Sequence, residues 1–147
     1  MQIEYIISNS PNKGKGVYTT QFIPQYSIIW NFNMANIKLY NETAIKKIIY
    51  ESNNIDLLNY GYFTLDNIFV DIREDDGKYF NHSNNPNIAL GSVLINKNIP
   101  GDFHPNSSYA LRNIEITEEL FDNYNSFGKM PEWYENIVNT KINCDYM

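Results

Sequence analysis

The chain has 147 residues, 43% of them hydrophobic, which is enough for one domain with a buried core and no need of covalent staples. Cys144 is the only cysteine, and His82 and His104 are the only histidines, so an internal disulfide and a closed zinc site of four Cys or His ligands are both excluded. The formal charge of −6 argues against direct nucleic-acid binding, which needs a concentrated basic surface, and suits a basic partner.

The N-terminus, MQIEYIISNSPNKGKG, has no basic region ahead of a long apolar run, and no later window approaches the roughly 18 apolar residues of a membrane span. The expectation is a soluble, intracellular protein that does not engage a membrane. Glycosylation motifs at Asn41, Asn81 and Asn106 are read as chance in an asparagine-rich chain without a secretion signal.

Short β-like runs alternate with turn chemistry at first: Ile3 to Ile7, SPNKGKG, Val17 to Ile23, a turn at Pro24-Gln25, then Ile28 to Phe32. Between about 41 and 59 the period changes. Ala44, Ile45, Ile48 and Ile49 fall at helical spacing behind Asn41 as N-cap, with Asn53-Asn54 as the break. Strands resume at Tyr60 to Leu65 and Ile68 to Ile72 around Asp66-Asn67, then at Ile88 to Asn96 and Ser108 to Asn113. In MPEWYENIV, Pro131 suits a first helical turn, and Trp133 with Ile137, and Tyr134 with Val138, stand four apart. Phe22 to Ser27 and Asn113 to Glu118 resemble two versions of one strand-turn element. The fold class is mainly β, with a short helical insert and a C-terminal helix.

Three stretches have more than one reading. Gly14-Lys15-Gly16 lets the backbone pass close to a ligand or simply turns a hairpin. KYFNHSNNPN, residues 78–87, either satisfies its own backbone or offers a buried asparagine amide to a small ligand. Tyr124 is one of 12 tyrosines and on spacing alone is packing.

In combination they are more specific. GKGVYTTQFIP, KYFNHSNNPN and ALRNIEITEELFDNY occur in that order and resemble the three sequence blocks of the SET domain, the fold of many protein lysine methyltransferases. The central block is similar to the family's Arg-Phe-x-Asn-His-Ser-Cys-x-Pro-Asn pattern. The last is similar to its Ala-x-Arg-Asp-Ile-x-x-Gly-Glu-Glu-Leu-x-x-x-Tyr pattern.

The resemblance implies one SET domain over residues 1–147, with an insert at about 41–59 and a closing segment at about 125–147. Its architecture is a β-clip of small twisted sheets around a threaded, pseudoknot-like C-terminal segment. It also implies S-adenosyl-L-methionine as cofactor: Asn81 at its methionine end, the backbone around His82 at the adenine, and Lys15-Gly16 on the carboxylate side. Lys78, where the family often has arginine, and Tyr79 belong to the same cofactor-binding set. Tyr124 takes the place of the catalytic tyrosine, and Tyr62, in YGYFTLD, is a second catalytic candidate on the channel wall.

Besides Lys78, other positions depart from the family pattern. Tyr26 and Thr117 replace glycines in two turns and Asn84 replaces a cysteine, changes expected to cost little because many turns accept other residues. Asp122 stands where the family often has Phe or Tyr controlling how many methyl groups are added, which leaves multiplicity open. The zinc-binding closing segment of some members is absent, so the helix with Trp133 and Tyr134 either closes the channel in its place or contributes these two aromatics to core packing. Asp122 and Trp133 are the channel residues.

The expected function is methyl transfer from S-adenosylmethionine to lysine side chains of a basic protein or peptide, with a histone among the candidates. The alternatives are a small-molecule amine such as a polyamine as acceptor, or a peptide-binding module that has lost transfer, with Asp122 as the lesion. A homodimer is compatible with the sequence, and a nuclear address follows if the target is chromatin.

Overall fold

In a computed structural model, described for residues 1–11, 13–52, 57, 59–99, 101–134 and 136, ten short strands and one α-helix follow in this order. They are β1 (Tyr5–Ser10), β2 (Gly14–Thr19), β3 (Ile28–Trp30), β4 (Lys38–Tyr40), α1 (Glu42–Ser52), β5 (Gly61–Phe63), β6 (Phe69–Asp71), β7 (Asn81–His82), β8 (Ile88–Leu90), β9 (Ser108–Ala110) and β10 (Phe121–Asp122). The chain divides into two compact units, Met1–Asn36 with Asp75–Ser126, and Ile37–Glu74 with Phe127–Met147. The expected insert at about 41–59 falls in the second. Among the described residues no helix is long and apolar enough to cross a membrane.

In the second unit, β4, β6 and β5 form an antiparallel sheet with β6 central. Helix α1 starts where Asn41 predicts, because its Oδ1 accepts from the Ala44 amide at 2.8 Å and satisfies one of the helix's orphan donors. The helical spacing sends Ile45 and Ile49 inward, against Leu57, Phe63, Phe69 and Tyr134. Asn53-Asn54 lies outside the described residues, as do Ile137 and Val138.

The first unit holds the hairpin β1-β2, the antiparallel sheet β3-β9-β8, and the parallel pair β7-β10. Its buried apolar residues include Val17, Ile23, Ile29, Trp30, Ile88, Tyr109, Ile114 and Leu120. Strand β8 is shorter than its apolar run predicts. At Gly91 a Cβ would lie 2.3 Å from the His104 carbonyl oxygen, so another chain segment crosses there and the strand gives way to a 3-10 turn over Gly91–Leu94. Ahead of β7, the buried Asp75 accepts from the Trp30 indole at 2.8 Å and the Gly77 amide at 2.7 Å on Oδ1, and from the Asn36 amide at 2.9 Å on Oδ2. This fixes the 3-10 turn Asp76–Tyr79 that delivers the chain to β7.

The two similar strand-turn stretches face each other. Ile23 and Ile114 exchange backbone hydrogen bonds at 2.9 and 2.8 Å, and each run has a left-handed residue one before its end, Tyr26 at φ 67° and Thr117 at φ 78°. These turns therefore do use the conformation that favours glycine, and a β-branched residue is strained there. Thr117 is exposed and its side chain makes no hydrogen bond among the described residues. Thr117→Gly is thus expected to stabilise the protein. Relief of roughly 1–2 kcal/mol of left-handed strain, less the roughly 0.5–1 kcal/mol entropic cost of glycine, leaves a gain of up to about 1.5 kcal/mol in a denaturant titration. An unchanged or lower midpoint would contradict it.

Candidate functional site

The amide-rich loop is fastened to the C-terminal block of the same unit. β7 runs parallel to β10, with Asn81 opposite Phe121 and His82 opposite Asp122. Asn87, 3% exposed, holds the pair with both ends of its side chain: Nδ2 donates to the Glu119 carbonyl at 2.8 Å, and Oδ1 accepts from the Phe121 amide at 2.8 Å. The Ser83 amide donates to the Asp122 carbonyl at 2.9 Å. KYFNHSNNPN contains a two-residue strand whose partner residues lie 40 positions further on.

A carboxylate that sequence reasoning passed over organises the glycine-rich edge. Glu119 Oε1 accepts from Ser10 Oγ at 2.6 Å and the Tyr18 hydroxyl at 3.0 Å, and its Oε2 accepts from Asn81 Nδ2 at 2.9 Å. The second hydrogen of Asn81 Nδ2 goes to the Lys15 carbonyl at 2.9 Å. Asn81, Lys15 and Gly16 are therefore brought together, and Gly16 is required: a Cβ there would lie 2.5 Å from Glu119 Oε2 and 3.1 Å from Asn81 Nδ2. The available signal was the position of Glu119 inside ALRNIEITEELFDNY. Lys13, also unremarked, donates to the His82 carbonyl and lies 5.0 Å over the Phe121 ring.

Tyr124 is tied to the amide-rich loop at two points. Its amide donates to His82 Nδ1 at 3.0 Å, and its hydroxyl donates to the Phe80 carbonyl. The first bond makes Nδ1 the acceptor, which leaves Nε2 to donate to Asn84 Oδ1, 3.1 Å away. The two rings lie tilted with centroids 5.2 Å apart. Burial first, and the charge of Asp122 second, push the Tyr124 hydroxyl up to about 12, so it stays protonated at neutral pH. Asp122 is 2% exposed, and burial pushes its carboxyl up to about 7.

The other expected site residues sit as follows. Lys78 is partly buried, with its ammonium 5.0 Å over the ring of Tyr79, at the end of the turn that Asp75 fixes. In the second unit, Tyr62 stacks on Phe127 with centroids 4.8 Å apart. Trp133, also in that unit, packs on the core around Phe63 and Tyr134, and its indole donates to Glu42 Oε1 at 2.8 Å. Residues 132–134 and 136 are helical.

The sequence profile of the SET domain matches residues 14–125. This chain belongs to the SET domain family. Comparison with curated protein sequences gives no match. Among solved structures, the SET domain is similar to a candidate histone methyltransferase of Plasmodium falciparum, with 21% identity, TM-score 0.55, and coverage of 90% of this chain and 99% of that one. It is also similar to a Neurospora SET domain histone lysine methyltransferase, with 18% identity and TM-score 0.62, over 89% of this chain and 55% of that one. A third likeness is to ctPRC2 in an autoinhibited conformation bound to S-adenosylmethionine, with 17% identity and TM-score 0.61, over 97% of this chain and 17% of that one. At these identities the likeness is one of fold: a mainly β SET architecture.

The residues expected to hold S-adenosylmethionine suit its chemistry. Asn81 spends both amide hydrogens on the protein, and its Oδ1 takes no hydrogen bond among the described residues, which leaves an acceptor for an α-ammonium. The exposed Lys15 supplies a cation for an α-carboxylate.

Proposed function

We propose that this SET domain transfers a methyl group from S-adenosylmethionine to the side-chain amine of a lysine in a basic protein. The observation that carries this reading is the parallel pairing of β7 with β10 within the family's matched blocks, which ties Asn81 to Glu119 and the neighbouring His82 to the Tyr124 amide. S-adenosylmethionine, when bound, supplies an electrophilic methyl group on a sulfonium. Asn81 and Lys15 anchor its amino-acid end, and Gly16 keeps the backbone close.

The chain's part in the chemistry is to desolvate and aim the amine. A lysine amine titrates near 10.4 in water and attacks only when neutral. Tyr124 is protonated at working pH, so it orients the amine and shapes the local field instead of removing a proton. The −6 charge favours a basic acceptor, a histone among them, and a chromatin target would place the protein in the nucleus.

The test is to incubate the purified protein with methyl-labelled S-adenosylmethionine and, in parallel, core histones, lysate protein and polyamines. Label is expected on lysine in one of the protein pools. Label confined to polyamines would replace the lysine assignment, and cofactor binding with no label in any pool would leave a binding module.

A further inference from the structure

Among the described residues, Asp122 is the one buried carboxylate of the first unit that the fold does not visibly use. Asp75 takes three hydrogen bonds from Trp30, Gly77 and Asn36, and Glu119 takes three from Ser10, Tyr18 and Asn81. The Asp122 carboxyl takes one, from the neighbouring Asn123 amide to Oδ1 at 2.8 Å. No described residue donates to Oδ2. No cation answers the charge, because the ion pairs among the described residues are Arg73 with Asp71 and Arg112 with Glu118.

Oδ2 is also not sealed. Among the described residues no buried side-chain oxygen lacks a partner, so the 2% of Asp122 that remains accessible includes this atom. Around it, β7 contributes His82, whose two ring nitrogens are engaged, β8 contributes no ionisable side chain, and the following turn contributes Tyr124. A carboxylate taken out of water without a partner is costly unless something supplies the missing charge.

We propose that Asp122 receives the acceptor amine: its Oδ2 binds the incoming ammonium and takes one proton from it, which restricts the site to amines that carry a positive charge. This rests on the methyl-transfer reading above. In the step, an N–H bond breaks with its electron pair staying on nitrogen, and an O–H bond forms at Oδ2. An ammonium–carboxylate pair becomes a neutral amine beside a neutral acid, and the acid returns its proton to water after product leaves. Burial drives the two proton affinities together, since it raises the carboxyl, here to about 7, and lowers the amine. Tyr124, close enough to feel the Asp122 charge, then orients the neutral nitrogen.

The experiment titrates n-butylammonium, a lysine side-chain mimic, and the uncharged n-butanol into wild type, Asp122→Asn and Asp122→Leu at pH 8, with S-adenosylhomocysteine at saturation. Thermal melts and the S-adenosylhomocysteine titration itself establish that each protein is folded and holds the demethylated cofactor. Wild type is expected to prefer the ammonium over the alcohol, and both variants to lose about tenfold or more in ammonium affinity with cofactor affinity unchanged. Equal ammonium binding by wild type and variants, or none by any of them with the cofactor bound, overturns the role of Asp122. Failure of folded wild type to bind the cofactor overturns the methyl-transfer reading, and this proposal with it.

Discussion

Tyr124→Phe is expected to lower methyl transfer by roughly 10- to 1,000-fold, the effect of losing about 1.4–4 kcal/mol of transition-state stabilisation, while thermal stability and cofactor affinity change little. The geometry separates these quantities. The main chain at 124 is positioned by the His82 Nδ1 bond to its amide, and the ring by its tilt against the imidazole, and both survive in phenylalanine. Only the hydroxyl goes, leaving the Phe80 carbonyl without that donor, and because Tyr124 is 47% exposed, water is at hand to replace it. A packing residue would behave in the opposite way, with turnover intact and any defect tracking the melting temperature. The check is turnover at saturating cofactor beside melts and cofactor titrations for both proteins. Wild-type turnover in folded Tyr124→Phe would remove the tyrosine from the chemistry.

Elements stabilised locally were legible in the sequence. The Asn41 cap and the spacing of Ile45 and Ile49 describe α1 without reference to the rest of the chain, and the Asp66-Asn67 turn, with Asn67 at φ 61°, joins β5 to β6. What was illegible is non-local. Lys38-Leu39-Tyr40 has too little pattern to declare a strand and becomes β4 only through pairing with β6. Likewise β8 stops at Leu90 because the His104 carbonyl lies against the next residue, Gly91, which no apolar run reports. The pairing of Asn81–His82 with Phe121–Asp122 joins two dipeptides across a long separation, so it emerges only from the order of the three family blocks. Glu119 was missed for a related reason: acidic residues in a polar run look solvated until the donors Ser10, Tyr18 and Asn81 are seen around them. The turns at Tyr26 and Thr117 were found, but their handedness was not, since sequence gives the place of a turn more readily than the sign of φ.

Asp122→Asn is expected to make the protein more stable at neutral pH, by an amount that depends on pH in a defined way. The carboxyl titrates at its ordinary 3.8 in the unfolded chain and at about 7 when buried on β10. Below 3.8 both states are protonated, so burial of the neutral acid is fully tolerated. As pH rises from there towards 7 the unfolded chain ionises while the folded one holds its proton, and wild type loses stability at up to about 1.4 kcal/mol per pH unit. Above about 7 both states are ionised and the loss levels off, at about 4 kcal/mol at most. Asparagine keeps the shape and the Oδ1 acceptor for the Asn123 amide but has no proton to lose. Other shifted carboxyls, such as Asp71 and Glu118, both lowered, are common to the two proteins and cancel in the difference. Denaturant titrations at pH 5, 6, 7 and 8 should give a stability difference that grows to about pH 7 and is flat beyond it, and parallel curves for the two proteins would show that burial does not hold the carboxyl up. A ligand ammonium that pairs with the ionised Asp122 should then restore much of the missing stability to wild type alone, and only above the folded titration point, where the carboxylate is present to meet it.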